Sequence, residues 1–389
     1  MRFDDNEWKE SYLGQVCSKF DYGIGAEAID FDGRNRYIRI TDIDEDNSHY
    51  IRKSEVSPSY IDENCVVQEN DILFARTGAS TGKTYLYSEQ DGKLYFAGFL
   101  VRANVKKEFS SYFIYQQTKI NRYKKWIQIM SARSGQPGVN AKEYQKYKVY
   151  YPNIQIQNKI ADFFTFLNQR IDTQNKIIED LKLFKNSIMD DLLTKKYFIE
   201  MSLSDFVSKG YARIIKSSEL TKFNGEKSYL STSSIDSNGI VNIECKITYY
   251  NRPSRASMMP IKNSVWFAKM KDTIKVYKSE NDDESKYFLS TGFYGILCDE
   301  NKVSSDWILE IFKSNYFNNQ KNRFSEGSSM SGIKDNQLED IQVKIFSNKN
   351  EEIKFCKLFK LLNRKLKSEQ LLLEKLKEQK KYLLSNMFI

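Results

Sequence analysis

A chain of 389 residues is long enough for two or three domains with cores of their own, and 60 Lys and Arg against 51 Asp and Glu leave a formal charge of +9, which suits a nucleic acid or another polyanion as partner. The single histidine, His49 in the polar run "DEDNSHY", leaves histidine acid–base chemistry, hydrolase triads and His-rich metal sites almost no material. Cys17, Cys65, Cys245, Cys298 and Cys356 stand far apart with no Cys-x-x-Cys pair, so neither a zinc site nor a disulfide framework is signalled and the cytoplasm is the expected compartment.

No run of about 18 apolar residues occurs, and "MRFDDNEWKE" has no apolar signal core. The first 150 or so residues read as short alternating strands with some helix, punctuated by turns such as Asp32-Gly33 and Asp91-Gly92. Two early stretches mix basic and aromatic residues, "SKFDYGIG" with Lys19 and Tyr22, and "GRNRYIR" with Arg36 and Arg39. The segment "DILFARTGASTGKT" then offers the ending of a nucleotide-binding loop, Gly82-Lys83-Thr84. Such a loop needs four residues between its glycines and a helix after it, so that successive N–H groups curl round one phosphate. Only Ala79, Ser80 and Thr81 separate Gly78 from Gly82, and the next stretch, "YLYSEQDGKLYFAGF", alternates like another strand. Strand–loop–strand is the wrong context for a nucleotide site. A Gly-rich turn with Thr77, Ser80 and Thr81 between Arg76 and Lys83 can instead bring N–H and hydroxyl donors to the phosphates of a nucleic acid or another polyanion, or, alternatively, Arg76 to a guanine edge. "SARSGQPG" adds Arg133, Ser134 and Gln136 in a second Gly/Pro loop.

From Ile160 the apolar positions step by four and three through Phe164, Leu167, Ile171, Ile178, Leu181, Ile188 and Leu192, with Gln174 and Lys185 filling two seam positions. That period over about 33 residues predicts a coiled-coil helix. The chain then starts again. "LNQRIDTQNKIIEDLKLFKNSIM" (from Leu167) and "LNRKLKSEQLLLEKLKEQKKYLL" (from Leu362) match at an offset of about 195, and "GVNAKEYQKYKV", "AGFLV", "DILFAR" and "YIRITDID" find counterparts in "GIKDNQLEDIQV", "TGFYG", "SVWFAK" and "YLSTSSID" in the same order. The second half carries Lys209, Arg213 and Lys216 near its start, and Lys269, Lys271 and Lys275 in "AKMKDTIK", the counterpart of the Gly-rich loop. No Asn-Pro-Pro-Phe-like tetrapeptide of adenine methyltransferases is present, and carboxylate-x-Lys pairs such as Glu284-Ser285-Lys286 arise by chance in so charged a chain.

With "DILFARTGASTGKT", "SGQPGVN" and "YPNIQIQNKIADFFTFLNQRID" in this order, the chain resembles the DNA-specificity subunits of type I restriction–modification systems. The second half departs locally: "SSMSG" lacks the Gln-Pro, and "FSNKNEEIKF" lacks the proline found at Pro152. The resemblance implies an α+β fold with two mainly β, mixed α/β target recognition domains, at 1–152 and 197–346, joined by two spacer helices, at 153–196 and 347–389, in an antiparallel coiled coil. It further implies a non-catalytic, double-stranded DNA-binding subunit that reads a bipartite target. Its expected partners are two copies of an adenine methyltransferase (modification) subunit and motor-nuclease restriction subunits. No cofactor is expected in this chain, S-adenosylmethionine belonging to the methyltransferase partners. The residues expected to face DNA are those named above in the two halves.

The polar seam residues suggest a register. Full overlap of the two seams sets Lys185 against Leu362, whereas sliding by one heptad faces Lys185 with Glu369 and Gln174 with Lys380. The slid register is the expectation, with Ile160, Phe164, Phe355 and Phe359 left outside the paired region against the β-rich domains.

Overall fold

The structure, a computed structural model, describes residues 8–45, 48–132, 137–216, 223–236, 241, 245–280, 286–324, 333–338 and 340–388. The chain divides into two compact units, Met1–Asn175 with Leu371–Ile389, and Lys176–Gln370. Each unit is built on a four-stranded antiparallel sheet of the same order. In the first unit the strands run Cys17–Tyr22, Leu100–Val105, Asp71–Ala75 and Thr84–Leu86, and in the second Ala212–Ile215, Phe293–Cys298, Ser264–Ala268 and Val276–Lys278. Each unit also has a parallel strand pair, Arg36–Ile38 with Leu94–Phe96 and Lys227–Leu230 with Tyr287–Ser290, and an antiparallel pair that brings its two ends together, Lys9–Tyr12 with Lys148–Tyr151 and Phe198–Ser202 with Gln342–Phe346. The repeated sequence is therefore a repeated topology.

The place of the central strand explains why its sequence is apolar after the first residue. Side chains alternate across a strand, so "DILFA" sends Ile72 and Phe74 to one face and Leu73 and Ala75 to the other. Ile72 and Phe74 join a core with the helices, and Leu73 and Ala75 a second core with Tyr37, Tyr95 and Phe96. "SVWFA" repeats this, with Val265 and Phe267 on the helical side and Trp266 and Ala268 on the other. With both faces covered, no polar position is left to alternate.

The long helices are Ile154–Leu193 and Lys349–Asn386. An asparagine ahead of each supplies a side-chain acceptor to the first turn, Asn153 to the Ile156 N–H at 3.0 Å and Asn348 to the Asn350 N–H at 2.8 Å. Within the first unit, Ile160, Phe164, Leu167 and Ile171 share a core with Leu376, Leu384 and Phe388; within the second, Met189, Leu192 and Leu193 share one with Cys356 and Phe359. Early residues of one helix thus meet late residues of the other, and the pair is antiparallel.

The slid register is not the one adopted. The Lys185 ammonium lies 2.7 Å from the Glu310 carboxylate and 2.6 Å from Asn363 Oδ1, over the Phe359 ring at 5.9 Å, while Glu369 pairs with Lys365 at 2.5 Å along its own helix. Phe359 therefore belongs to the paired region, as does Phe164, which stacks on Phe388 at 6.1 Å. The slid register rests on two helices alone. A third, Ser305–Lys313 of the recognition domain, packs on them and carries the counter-charge. With Glu310 supplied from outside the seam, Lys185 need not find an acid within it.

Candidate nucleic-acid interface

The stretch "RTGASTGKT" is the connection of a β-hairpin, closed by Gly82 N–H to Ala75 O at 2.9 Å and Ala75 N–H to Lys83 O at 2.8 Å. Gly78 and Gly82 have φ of 76° and 87°, and a Cβ at Gly82 would stand 2.8 Å from the Ile127 side chain. A second loop is laced to this one. Gly78 N–H donates to Pro137 O at 3.1 Å, Val139 N–H to Arg76 O at 2.9 Å, and the Thr81 hydroxyl to Pro137 O at 3.4 Å. The two Gly-rich stretches thus form one surface. Arg133, Ser134 and Gln136 lie outside the described residues, as do residues 328–332, 284–285 and 238–239.

Arg76 is the best-defined cation of this surface. Its Nε donates to Gly98 O at 2.9 Å, and its guanidinium lies 4.9 Å from the centroid of Tyr22 and 5.8 Å from that of Phe99. Tyr22 is 45 % exposed and Phe99 60 % exposed, so an arginine held between two accessible rings presents its remaining donors to solvent. Sequence alone does not single out Phe99. Its signal is a large aromatic beside a glycine in "AGFLV", indistinguishable there from a core residue.

The other candidates separate. Thr77 and Ser80 are half-buried within the same loop. Lys83 lines a cavity beside Lys119. Lys19 is exposed on the same strand as Tyr22, three residues away and so on the opposite face. Arg36 pairs with Glu55 at 2.7 Å, and Arg39 grips Asp42 through Nε and Nη2, both at 2.8 Å, which holds its pKa above the ordinary arginine value. Arg39 thus braces its own turn, and Arg36 ties its strand to Glu55, 19 residues on.

In the second unit the counterpart loop is laced in the same way, with Ile333 N–H donating to Lys269 O at 3.0 Å. Lys269 and Lys271 are half-buried, and Lys275 donates to Thr232 O at 2.6 Å. Beneath the loop lies Lys321, 1 % exposed, whose ammonium donates to Ala268 O at 3.2 Å and to Thr273 O; burial pushes its pKa down to about 8. Arg213 and Lys216 are exposed on and just after the strand Ala212–Ile215, while Lys209 lines a separate recess with Lys302 and Lys349. Sequence reading misses "YYNRPSR": Tyr250 is 87 % exposed, and Arg252 lies 5.6 Å from the Tyr249 ring. An aromatic pair followed by two arginines is the signal that could have found it.

Comparison with known proteins agrees with this geometry. Residues 5–183 match the family model described as the Type I restriction modification DNA specificity domain. Over 138 residues the chain is 28 % identical to the Type I restriction enzyme MjaVIII specificity subunit of Methanocaldococcus jannaschii, an alignment spanning 34 % of this chain and 30 % of that protein. A crystal structure of the type I restriction-modification S subunit from M. genitalium superposes with a TM-score of 0.62 at 14 % identity, covering 100 % of this chain and 98 % of that one. A chain from a structure of the type I R-M system, described in terms of complex assembly and conformational transition, gives 0.56 at 11 % identity over 97 % and 96 %. At such identities the likeness is one of fold. Residues 5–183 are thus similar to the type I restriction–modification DNA specificity domain, and the whole chain shares the fold of the S subunits, with the topology of its first half repeated in the second.

Proposed function

We propose that this chain binds double-stranded DNA at a bipartite target, each unit reading one half-site, and has no catalytic activity of its own. The observation carrying this reading is the duplication itself. Two units of one topology each present a laced loop surface, with Arg76, Tyr22 and Phe99 in the first and the lysine-bearing loop of residues 269–275 in the second. Arg76, Thr77, Ser80 and Thr81 face the DNA, and Arg133, Ser134 and Gln136, which come just before Pro137 in sequence, are assigned the same role. The GASTGKT loop does not favour a nucleotide enzyme, because it closes a hairpin instead of leading into a helix.

In this reading the long helices position two copies of an adenine methyltransferase subunit and the restriction subunits. Support comes from large apolar side chains left exposed at equivalent places on the two helices, Phe166 at 69 % with Leu361 at 62 %, and Ile177 at 39 % with Leu372 at 38 %. Paired patches on a duplicated scaffold suit two copies of one partner. Sequencing methylated adenines in the source genome, with and without this gene, tests the reading. A split motif lost with the gene is the expected result; an unchanged methylation pattern overturns it.

A further inference from the structure

The internal repeat allows each position of one unit to be read against its counterpart. The helix start Ser110-Ser111-Tyr112-Phe113-Ile114 corresponds to Ser304-Ser305-Asp306-Trp307-Ile308, both opened by the first serine as cap. Stepping along, Gln116 corresponds to Glu310 and Lys119 to Lys313; on the long helices Asn168 corresponds to Asn363 and Lys380 to Lys185. In the second unit these positions form a charge-paired cluster. Glu310, 3 % exposed, accepts from Asn363 Nδ2 at 2.8 Å and pairs with Lys185 at 2.7 Å, with Lys313 close by.

The first unit keeps both lysines and the asparagine but replaces the acid by a neutral amide. Gln116 is 1 % exposed, and its Oε1 is buried without a hydrogen-bond partner. Asn168 turns to the Tyr112 hydroxyl at 2.5 Å. Around Gln116 lies a cavity of about 570 Å³ lined by Lys83, Lys119, Lys124, Lys377, Lys380 and Lys381. Against these six cations the lining holds three carboxylates, Asp44, Glu45 and Asp172, and the single His49. The Lys119 ammonium donates to Ser48 Oγ at 2.9 Å and to Thr84 Oγ1 at 2.7 Å, so it offers charge more than free donors. Burial depresses both ammonium groups; after it, the charge of Lys380 lowers Lys119 further, whereas for Lys380 the Asp172 carboxylate works against burial and Lys377 adds to it. Lys83, Lys119 and Lys380 are half-buried and Lys124, Lys377 and Lys381 are exposed at the rim, so the cleft gathers positive charge that an anion would offset.

We propose that this cavity is a binding site for a small phosphate-bearing anion, which occupies the place held in the second unit by the Glu310 carboxylate. Lys380 contacts it, while Lys119 and Lys83 supply field. The bound anion ties the second long helix to the first recognition domain, as Glu310 ties the first long helix to the second. A cavity of this size has room for a pyrophosphate-sized group together with water.

The test is thermal unfolding of the full chain with inorganic pyrophosphate against chloride at matched ionic strength. The wild-type transition should rise by roughly 5 °C or more at a hundredfold excess over Kd. Gln116→Glu should raise the transition without anion and remove the response, and Glu310→Gln should lower it. Lys380→Met should abolish the pyrophosphate effect, and calorimetric titration of that variant decides the matter if Gln116→Glu fails to fold. An equal rise in wild type, Gln116→Glu and Lys380→Met would show non-specific polyanion stabilisation and overturn the site. So would a rise seen with duplex DNA and not with pyrophosphate. Arg76→Ala should keep the pyrophosphate response while losing DNA affinity, so this site and the DNA-reading surface fail or stand separately.

Discussion

Arg76 shows how a single side chain is prepared for contact before any partner arrives. Its backbone is fixed by the neighbouring loop and its guanidinium by two rings and the Gly98 carbonyl, so little conformational freedom remains to be lost on binding. Arg76→Ala should weaken binding of the cognate duplex by about 1–3 kcal/mol and relax preference at one position of one half-site, measured by anisotropy against a panel of duplexes. Arg39→Ala should instead lower unfolding stability and leave duplex affinity within about twofold, because Arg39 spends its donors on Asp42. Sequence could nominate both arginines, since charge and turn context were visible. It could not rank them, because Asp42 and the Tyr22–Phe99 rings take their places only in the folded unit. Lys321 gives a residue-scale test by pH. Its folded pKa of about 8 lies below its unfolded value, so the folded state releases a proton first as pH rises. The cost of burying the charge is fully present below pH 8 and is relieved between pH 8 and about 10.5, so stability contributed by this group rises with pH. Urea unfolding of wild type minus Lys321→Met should show that slope, amounting to about 1–3 kcal/mol; a difference flat with pH refutes it.

At the scale of elements, periodicity was the most legible feature. Both long helices and the hairpin around the Gly-rich loop follow from spacing and turn residues alone. The register did not, because the charge that decides it comes from a third helix far along the chain. A double-mutant cycle checks this directly. Lys185 and Glu310 should couple by more than about 1.5 kcal/mol, as a largely buried charge pair does, whereas Lys185 and Glu369 should show no coupling beyond a few tenths. The seam also gives the helices their proposed role as spacer. Inserting one heptad in each, at matching positions after Gln174 and Glu369, lengthens the pair by about 10 Å, near three base-pair steps. Methylome sequencing should then find both half-sites unchanged and the gap between them widened by about three base pairs.

For the whole molecule, the duplication predicts modular recognition. Exchanging residues 1–150 for those of a relative should change one half of the methylated motif and preserve the other, and a change in both halves would remove the two-reader interpretation. The repeat itself was plain in the sequence, down to the Leu-Asn that opens both matched helical segments at Leu167 and Leu362. What the repeat conceals is where the copies differ in charge, as Gln116 and Glu310 do, because exchanging an amide for a carboxylate leaves pattern intact while altering the electrostatics of a buried site.

The first unit is assembled from residues 1–175 and 371–389, and Leu376, Leu384 and Phe388 sit in the same core as Phe164 and Ile171. On the ribosome those partners are separated by about 200 residues, or roughly 10–40 s of synthesis at ordinary elongation rates. For that interval the earlier half of the core faces water, and its exposed Phe164 and Ile171 are the kind of surface that chaperones hold and proteases find. A chain cut short before Leu376 should therefore fail in its first unit although every residue of the β-rich part is present. Pulse-chase recovery of such truncations should show rapid turnover, while the second unit, continuous in sequence from Lys176 to Gln370, retains its native protease resistance. The order of synthesis thus acts as a completeness check: the half made first becomes durable only when the last turns of helix arrive.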